Sequence, residues 1–409
     1  MTKVTEDISW MFTEGSAYAD EDAWHAAATR LRQESPIVKV EIDGWPTVWA
    51  IMKHADVMTI ERRHDIFLNT ERVLYQSDAA SDASPPQRTI IQMDGAEHKQ
   101  YRSLTTEYFT VGSLRRNLQT ELDELSKSYV DKMVAAGGEC DFVSDVAKYF
   151  PLRVILTMLG VPENDHPEVL RLTQEVFGIS DPEFAASLPD DFSFADALLR
   201  LQGFLSSLTV ARRNEPTDDI ASVIANSTID GAPIGDAEAV NYYAIIATAG
   251  HDTTSSVMGG GMEALLSNPS ALRELQEDPS LMKNAVEEML RWASPAKAFT
   301  RQATEDFELR GTMIRAGDRV LLSYPSANRD EEVFPDPFTF DIHRENANRH
   351  IAFGFGKHFC IGAELARMEL RAFFTELLSR VKDIESAGPV ERFHSTIVSG
   401  VKHLPIRYT

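Results

Sequence analysis

The sequence predicts a mainly α fold with a small β region, and three observations carry that expectation. Leu114, Leu118, Leu122, Leu125, Tyr129 and Met133 recur at the spacing of one helix face and end at Gly137-Gly138. An apolar stretch runs from Asp236 to Asn268-Pro269; as a helix of about thirty residues it would span about 45 Å. Strand alternation, by contrast, is confined to short pieces near residues 38–51 and 312–324.

Composition narrows the class. The chain has 409 residues, of which 43% are hydrophobic, enough for a sizeable core. Length alone would allow two or three domains, but no linker, repeat or low-complexity segment divides the chain, so one domain over 1–409 is expected. A formal charge of −23 argues against nucleic acid and anionic membranes as partners. No run of eighteen apolar residues occurs, and Met1-Thr-Lys-Val-Thr-Glu-Asp lacks a signal peptide's basic and apolar regions. A soluble cytoplasmic monomer is the expectation.

In chain order, Val38, Val40 and Ile42 alternate with charged residues, and Asp43-Gly44 turns the chain toward Thr47–Ile51, a β-hairpin. Residues 77–88 lack periodicity and read as a mobile loop. His98 and Arg102 sit four apart on one helix face and, taken alone, read as a surface polar pair. Between Pro162 and Asn214 helical segments are interrupted at 180–191, where Phe184 and Leu188 could roof a pocket or serve as ordinary core. The long helix is predicted to be capped by Asp236. In its middle, Ala249-Gly-His-Asp-Thr-Thr254 places an acid and two hydroxyls in apolar surroundings, which calls for a kink or a function.

Farther on, Glu288 and Arg291 are three apart and face each other as a pair. Phe299-Thr-Arg301 leads into strands at Thr312–Ile314 and Arg319–Tyr324, and residues 325–351 read as irregular. Cys140, at a helix-to-strand junction, reads as structural. A Cys140–Cys360 disulfide would suit the wrong compartment.

Cys360 is framed by Gly354, Gly356 and Gly362 and opens the helical pattern Ile361, Leu365, Met368, Ala372. A helix start favours a thiolate, which could be a nucleophile or a single axial metal ligand. Nucleophilic catalysis would call on His358, two residues away. Zinc would require further soft ligands, and no Cys-x-x-Cys partner exists. Haem iron held by one thiolate fits better, because it needs no second protein ligand.

Phe353-x-x-Gly356-x-His358-x-Cys360-x-Gly362 resembles the haem-binding signature of the cytochrome P450 family. Further matches in family order extend the resemblance from His98 to Gly362, most of the chain. Ala249–Ser256, Leu322–Phe334 and Pro405–Thr409 resemble soluble, bacterial, ferredoxin-dependent members, most nearly the terpineol-hydroxylating branch.

The resemblance implies a triangular, mainly α prism with a long central helix over haem b, iron protoporphyrin IX. It implies Cys360 as iron ligand, with Phe353 and Gly354 at the cofactor and His98, Arg102, Arg301 and His358 on the propionates. Asp252 and Thr253 match the family's acid–alcohol pair, while Glu288, Arg291 and Arg344 match a structural triad; His251 receives no role. The implied pocket wall is Ile245, Thr248 and Ala249, with Pro295, Ala296 and Phe299 opposite. None of these six is charged, so a carboxylate anchor for long fatty acids is not evident, although Arg72 or Arg88 in the loop could still supply one.

The activity implied is insertion of one oxygen atom from O2 into a C–H bond of a monoterpenoid or an alkyl- or aryl-substituted aromatic. No Gly-x-Gly-x-x-Gly fingerprint appears and two cysteines cannot hold an iron–sulfur cluster. Electrons would therefore come from NAD(P)H through a reductase and a [2Fe-2S] ferredoxin docking on Lys357, Arg367, Arg371 and Lys99, beside Arg102. A peroxide-driven peroxygenase and a haem-binding sensor without turnover are the rival classes; the acid–alcohol pair argues against both.

Overall fold

The computed structural model describes residues 8–69, 72–83, 88–178, 181–189 and 192–409. The alternating segment forms β1 (Ile37–Val40), and a turn with Gly44 at φ +74° returns the chain as antiparallel β2 (Val48–Ile51). Helix α1 (His54–Arg62) and the two-residue β3 (Phe67–Leu68) come next.

The segment expected as a loop at 77–88 contains a helix, Asp78–Ala83. Ser77 Oγ accepts the Ala80 N–H at 3.2 Å, a local cap that the run of turn-forming residues obscured. Arg72, a possible carboxylate anchor, is bound by Asp78 at 2.5 Å and Asp82 at 3.4 Å, and Arg88 pairs with Glu97. Both guanidiniums are thus engaged.

Helix α2 (Gly95–Thr106) carries His98 and Arg102. The leucine stripe splits at Leu118 into a short helix, Val111–Asn117, and α3 (Gln119–Ala135). Cys140 lies in the strand Glu139–Asp141 opposite Ile406, its thiol pushed up to about 11 by burial. Helices α4 (Phe150–Leu159), α5 (His166–Gly178) and α6 (Phe194–Asn214) then form layers around the central helix α7 (Asp236–Ser267). The Phe184 side chain lies outside the described residues, and Leu188 is half-buried away from the cavity wall.

At 32 residues, α7 is about 48 Å long and runs unbroken. Its cap is Gly235 rather than Asp236: Glu238 folds back to accept the Gly235 N–H at 3.0 Å. Asp236 is the first helical residue, paired with Arg213 and favoured there by the helix dipole. No turn opens at the polar stretch. Thr248, Thr253, Thr254 and Ser256 each donate to the carbonyl four residues back, at 2.7, 2.9, 3.4 and 2.8 Å, so the helix absorbs its own hydroxyls. Gly250 admits α4 against α7, since a Cβ there would lie 2.6 Å from Ile155 Cγ1.

Helix α8 (Met282–Ala293) precedes β4 (Ala298–Ala303) and β5 (Arg319–Ser323). They complete a five-stranded sheet ordered β1-β2-β5-β4-β3, in which β5 runs parallel to β2 and antiparallel to β4. A separate hairpin pairs Phe307–Leu309 with Thr312–Ile314. Residues 324–351 are irregular apart from a short helix, Tyr324–Ala327, and a 3-10 turn, Ala347–Arg349. Helix α9 (Ala363–Arg380) starts three residues after Cys360. Among the described residues no helix is long and apolar enough to cross a membrane.

Candidate active site

A cavity of about 250 Å³ lies between α7 and the Cys360 loop. One wall is a stripe of α7, Ile245, Ala249 and Thr253, four residues apart and therefore stacked on one face. Pro295, Ala296 and Phe299, set by the turn from α8 into β4, line it as well. Thr248 does not line the cavity. It lies on the far side of that stripe, 7% exposed, with its hydroxyl spent on Ala244. Tyr242, Ile246, Gly250, Thr254 and Val257 supply the rest of the α7 surface.

Cys360 forms part of the floor, with Phe353, Gly354 and Gly362 beside it. Its N–H donates to Phe353 O at 2.9 Å, closing the loop. The accessible surface of Cys360 is cavity wall within the body of the protein. Burial therefore raises its thiol pKa, against the Gly362 N–H and the charges of Arg102 and Arg367. The helix start alone does not make a thiolate here; a bound metal would, by displacing the proton.

His98, Arg102, Arg301 and His358 all reach the cavity. The two imidazoles stack with centroids 4.1 Å apart. Burial, then the charges of His358 and Arg102, lower His98 to about 4, and burial also lowers His358 despite Asp94 at 3.5 Å. At neutral pH His98 is thus an uncharged N–H donor. Arg102 braces the cysteine loop, donating to Phe359 O at 2.6 Å and Lys357 O at 3.5 Å. Arg301 donates to Thr300 O at 2.9 Å and meets Glu61 at 3.3 Å.

Two buried carboxyls on the cavity wall had no sequence signal. Glu61 accepts from Tyr324 Oη at 2.8 Å, and its other oxygen has no partner. Glu369, on α9, is fully buried with neither oxygen bonded, and burial raises its carboxyl well above the ordinary range.

Asp252 itself is not on the wall; Thr253 is. The acid is held from behind by His251, whose Nε2 lies 3.0 Å from Oδ1, while Oδ2 has no partner. The charge of Lys148 also acts on it.

Beneath the floor, Arg291 binds Glu288 in a fork, both contacts 2.7 Å, and Arg344 reaches the same carboxylate at 3.2 Å. The Asp341 N–H adds a bond at 3.0 Å. The guanidiniums spend their other donors on carbonyls of Asn328, Pro335, Pro337 and Thr339, so the three charges tie the irregular segment to α8. Of the expected docking charges, Lys357 and Lys99 are exposed and Arg371 is half-buried. Arg367 is not a free charge: Glu287 grips it at 2.8 and 3.0 Å, Glu364 at 2.9 Å, and it lies over the Phe353 ring.

The donor set suits haem. The lining offers one soft ligand, Cys360, mostly apolar walls, and in His98, Arg102, Arg301 and His358 a set of N–H donors that would suit two propionates. Gly354 has a left-handed φ of +68°, and a Cβ there would lie 3.3 Å from Glu61 Oε1.

A family model for cytochrome P450 matches residues 7–392. Cytochrome P450-terp of a Pseudomonas species is 41% identical, covering 96% of this chain and 95% of that protein. A steroid C26-monooxygenase of Mycolicibacterium smegmatis is 34% identical over 93% and 89%. Among solved structures, CYP108D1 of Novosphingobium aromaticivorans superposes with a TM-score of 0.89 at 36% identity, over 98% of both chains. CYP268A2 of Mycobacterium marinum, solved with pseudoionone, gives 0.90 at 31% identity, again over 98% of both. With a Cys360 loop, a central helix and an apolar cavity between them, this chain belongs to the cytochrome P450 family and is a haem-dependent monooxygenase that uses O2 and a redox partner.

Proposed function

We propose that the chain hydroxylates a small apolar cyclic substrate, a monoterpenoid or an alkyl- or aryl-substituted aromatic, drawing electrons from a [2Fe-2S] ferredoxin and its NAD(P)H-dependent reductase. One observation carries the substrate class: Ile245, Ala249, Pro295, Ala296 and Phe299 line one cavity and none is charged, while Arg72 and Arg88 are both engaged by acids. A compact hydrocarbon buries its whole surface there, at about 25 cal/mol per Å². A carboxylate finds no free cation among those two. The name of P450-terp and the pseudoionone bound to CYP268A2 support a terpenoid-sized ligand.

Cys360 would hold the iron, with Phe353 and Gly354 flanking it, and His98, Arg102, Arg301 and His358 would hold the propionates. Bound there, haem supplies O2 activation and oxygen transfer, helped by electron density from the thiolate. The protein's part is protons and exclusion of water. Thr253 has its hydroxyl on the cavity wall, where it can leave the Ala249 carbonyl and donate into the cavity. Asp252, one residue earlier and turned away from the wall, can take a proton from the His251 and Lys148 side and return it to Thr253.

The test is a spin-state titration of the purified holoenzyme with product analysis. Terpineol or p-cymene should shift the spin state at lower concentration than fatty acids, and the tight binders should yield alcohols. Tighter binding by fatty acids would reject the substrate class.

A further inference from the structure

Glu61 stands in the cavity without a part in oxygen transfer. It lies near the end of α1, which packs directly on the cysteine loop. A Cβ at Gly356 would lie 2.5 Å from the Glu61 carbonyl oxygen, and one at Gly354 would lie 3.3 Å from Oε1. The side chain is 2% exposed. Oε1 takes Tyr324 Oη at 2.8 Å and Arg301 Nη2 at 3.3 Å, while Oε2 is buried and unpartnered; Glu61 lines the cavity together with Arg301 and His358.

The role inferred for Glu61 rests on the reading in which Arg301 holds a haem propionate. Two carboxylates converging on one guanidinium leave an uncompensated negative charge in a buried place, which is costly. One proton removes the conflict, and Oε2 is free to carry it. We propose that Glu61 is a haem-binding residue: on haem binding it takes a proton from solvent, and its protonated carboxyl donates a hydrogen bond to the propionate that shares Arg301.

The other groups around Glu61 permit this. Burial pushes its carboxyl up to about 7, against Arg301, Tyr324 and the nearby backbone N–H of Phe355, which makes no hydrogen bond of normal geometry to either oxygen. The adjacent Arg62 is turned away over the Phe355 ring, and His358 lies beyond Arg301. From the cysteine loop, Gly354 and Gly356 add no charge. A propionate raises the Glu61 pKa further, so the haem-bound state holds the proton more tightly than the haem-free one. Haem affinity is therefore full below about pH 7 and falls as pH rises past it, by up to about tenfold per pH unit.

The test uses holoenzyme. Haem release to excess apomyoglobin, measured from pH 6 to 9, should accelerate with pH in the parent. In Glu61→Gln, which keeps a donor without a titrating proton, release should be flat and near the parent's rate at low pH. The ferric/ferrous midpoint potential should likewise fall with pH in the parent and lose that slope in the variant. Tyr324→Phe removes a hydrogen bond to the ionised form, so the onset of release should move to higher pH. A parent flat from pH 6 to 9, a slope retained in Glu61→Gln, or an unmoved onset in Tyr324→Phe overturns the proposal. The underlying reading fails separately, if Arg301→Gln releases haem no faster than the parent.

Discussion

His251 Nε2 lies 3.0 Å from Asp252 Oδ1, although consecutive residues on a helix point about 100° apart. The imidazole is turned into this position by two anchors. Its Nδ1 donates to Ala247 O at 3.0 Å, and Thr173 of α5 reaches Nε2 at 3.3 Å. Burial lowers the imidazole's pKa, but the charge of Asp252 and its hydrogen bond outweigh that, and the net shift is upward. A raised folded pKa gives stability that is complete below the ordinary value of about 6.5 and lost as pH rises through the folded value. The thermal stability of the parent should therefore fall as pH rises from near neutral, and His251→Asn should lack that component. The same variant should slow turnover while leaving substrate-induced spin shifts unchanged, because His251 has no surface on the cavity.

Thr253→Ala and Asp252→Asn separate two tasks. Loss of the wall hydroxyl should leave binding intact and divert reducing equivalents to hydrogen peroxide, since proton delivery alone is damaged. Loss of the acid should slow turnover by about 10²-fold, the lower range for a positioned acid–base group. Oxygen consumption, peroxide and product measured together decide it. Equal coupling and rate in parent and variants would remove both residues from proton delivery.

Glu288→Gln should be among the most damaging single changes. It leaves Arg291 and Arg344, 0% and 7% exposed, without their shared anion. Removing one partner of a buried pair costs about 3–5 kcal/mol. By comparison, Lys39→Gln, which breaks an exposed pair with Glu41, should change stability by less than about 1 kcal/mol. Denaturant midpoints and haem content of the two variants provide the check; similar midpoints would mean the triad is not the anchor its geometry describes.

What the sequence disclosed was local. The Cys360 loop, the leucine stripe, the 38–51 hairpin and the length of α7 arise from glycine placement and from periods of 3.6 and 2, all within one element. Capping was legible only in part, because at Gly235 the cap comes from Glu238 reaching back rather than from Asp236. Glu61 and Arg301 are 240 residues apart, and nothing near either announces the other. Thr173 and His251, 78 apart, are joined only because α5 packs over α7. Thr248 was misplaced for a geometric reason: i and i+4 from Ile245 continue the cavity stripe, whereas i+3 falls to its far side.

The molecule carries −23, so an acidic ferredoxin needs a local positive field on the surface beneath Cys360. Arg367 cannot supply it freely, being clamped by Glu287 and Glu364. Reversing Arg367 would break a half-buried network under Phe353, and the expected result is lost haem rather than a clean docking defect. Lys357 and Lys99 are exposed, and Phe359, 37% exposed on the same loop as Lys357, adds an apolar contact. Arg102, tied to the carbonyls of Phe359 and Lys357, fixes that loop against α2. Lys357→Glu combined with Lys99→Glu should slow ferredoxin-supported reduction several-fold at low salt. The difference should shrink as ionic strength passes about 0.15 M, where screening acts within about 8 Å. Substrate affinity and the reduced CO spectrum should stay as in the parent. Stopped-flow reduction across a salt series decides the matter: rates equal in parent and double variant at every salt would place the docking surface elsewhere on the molecule.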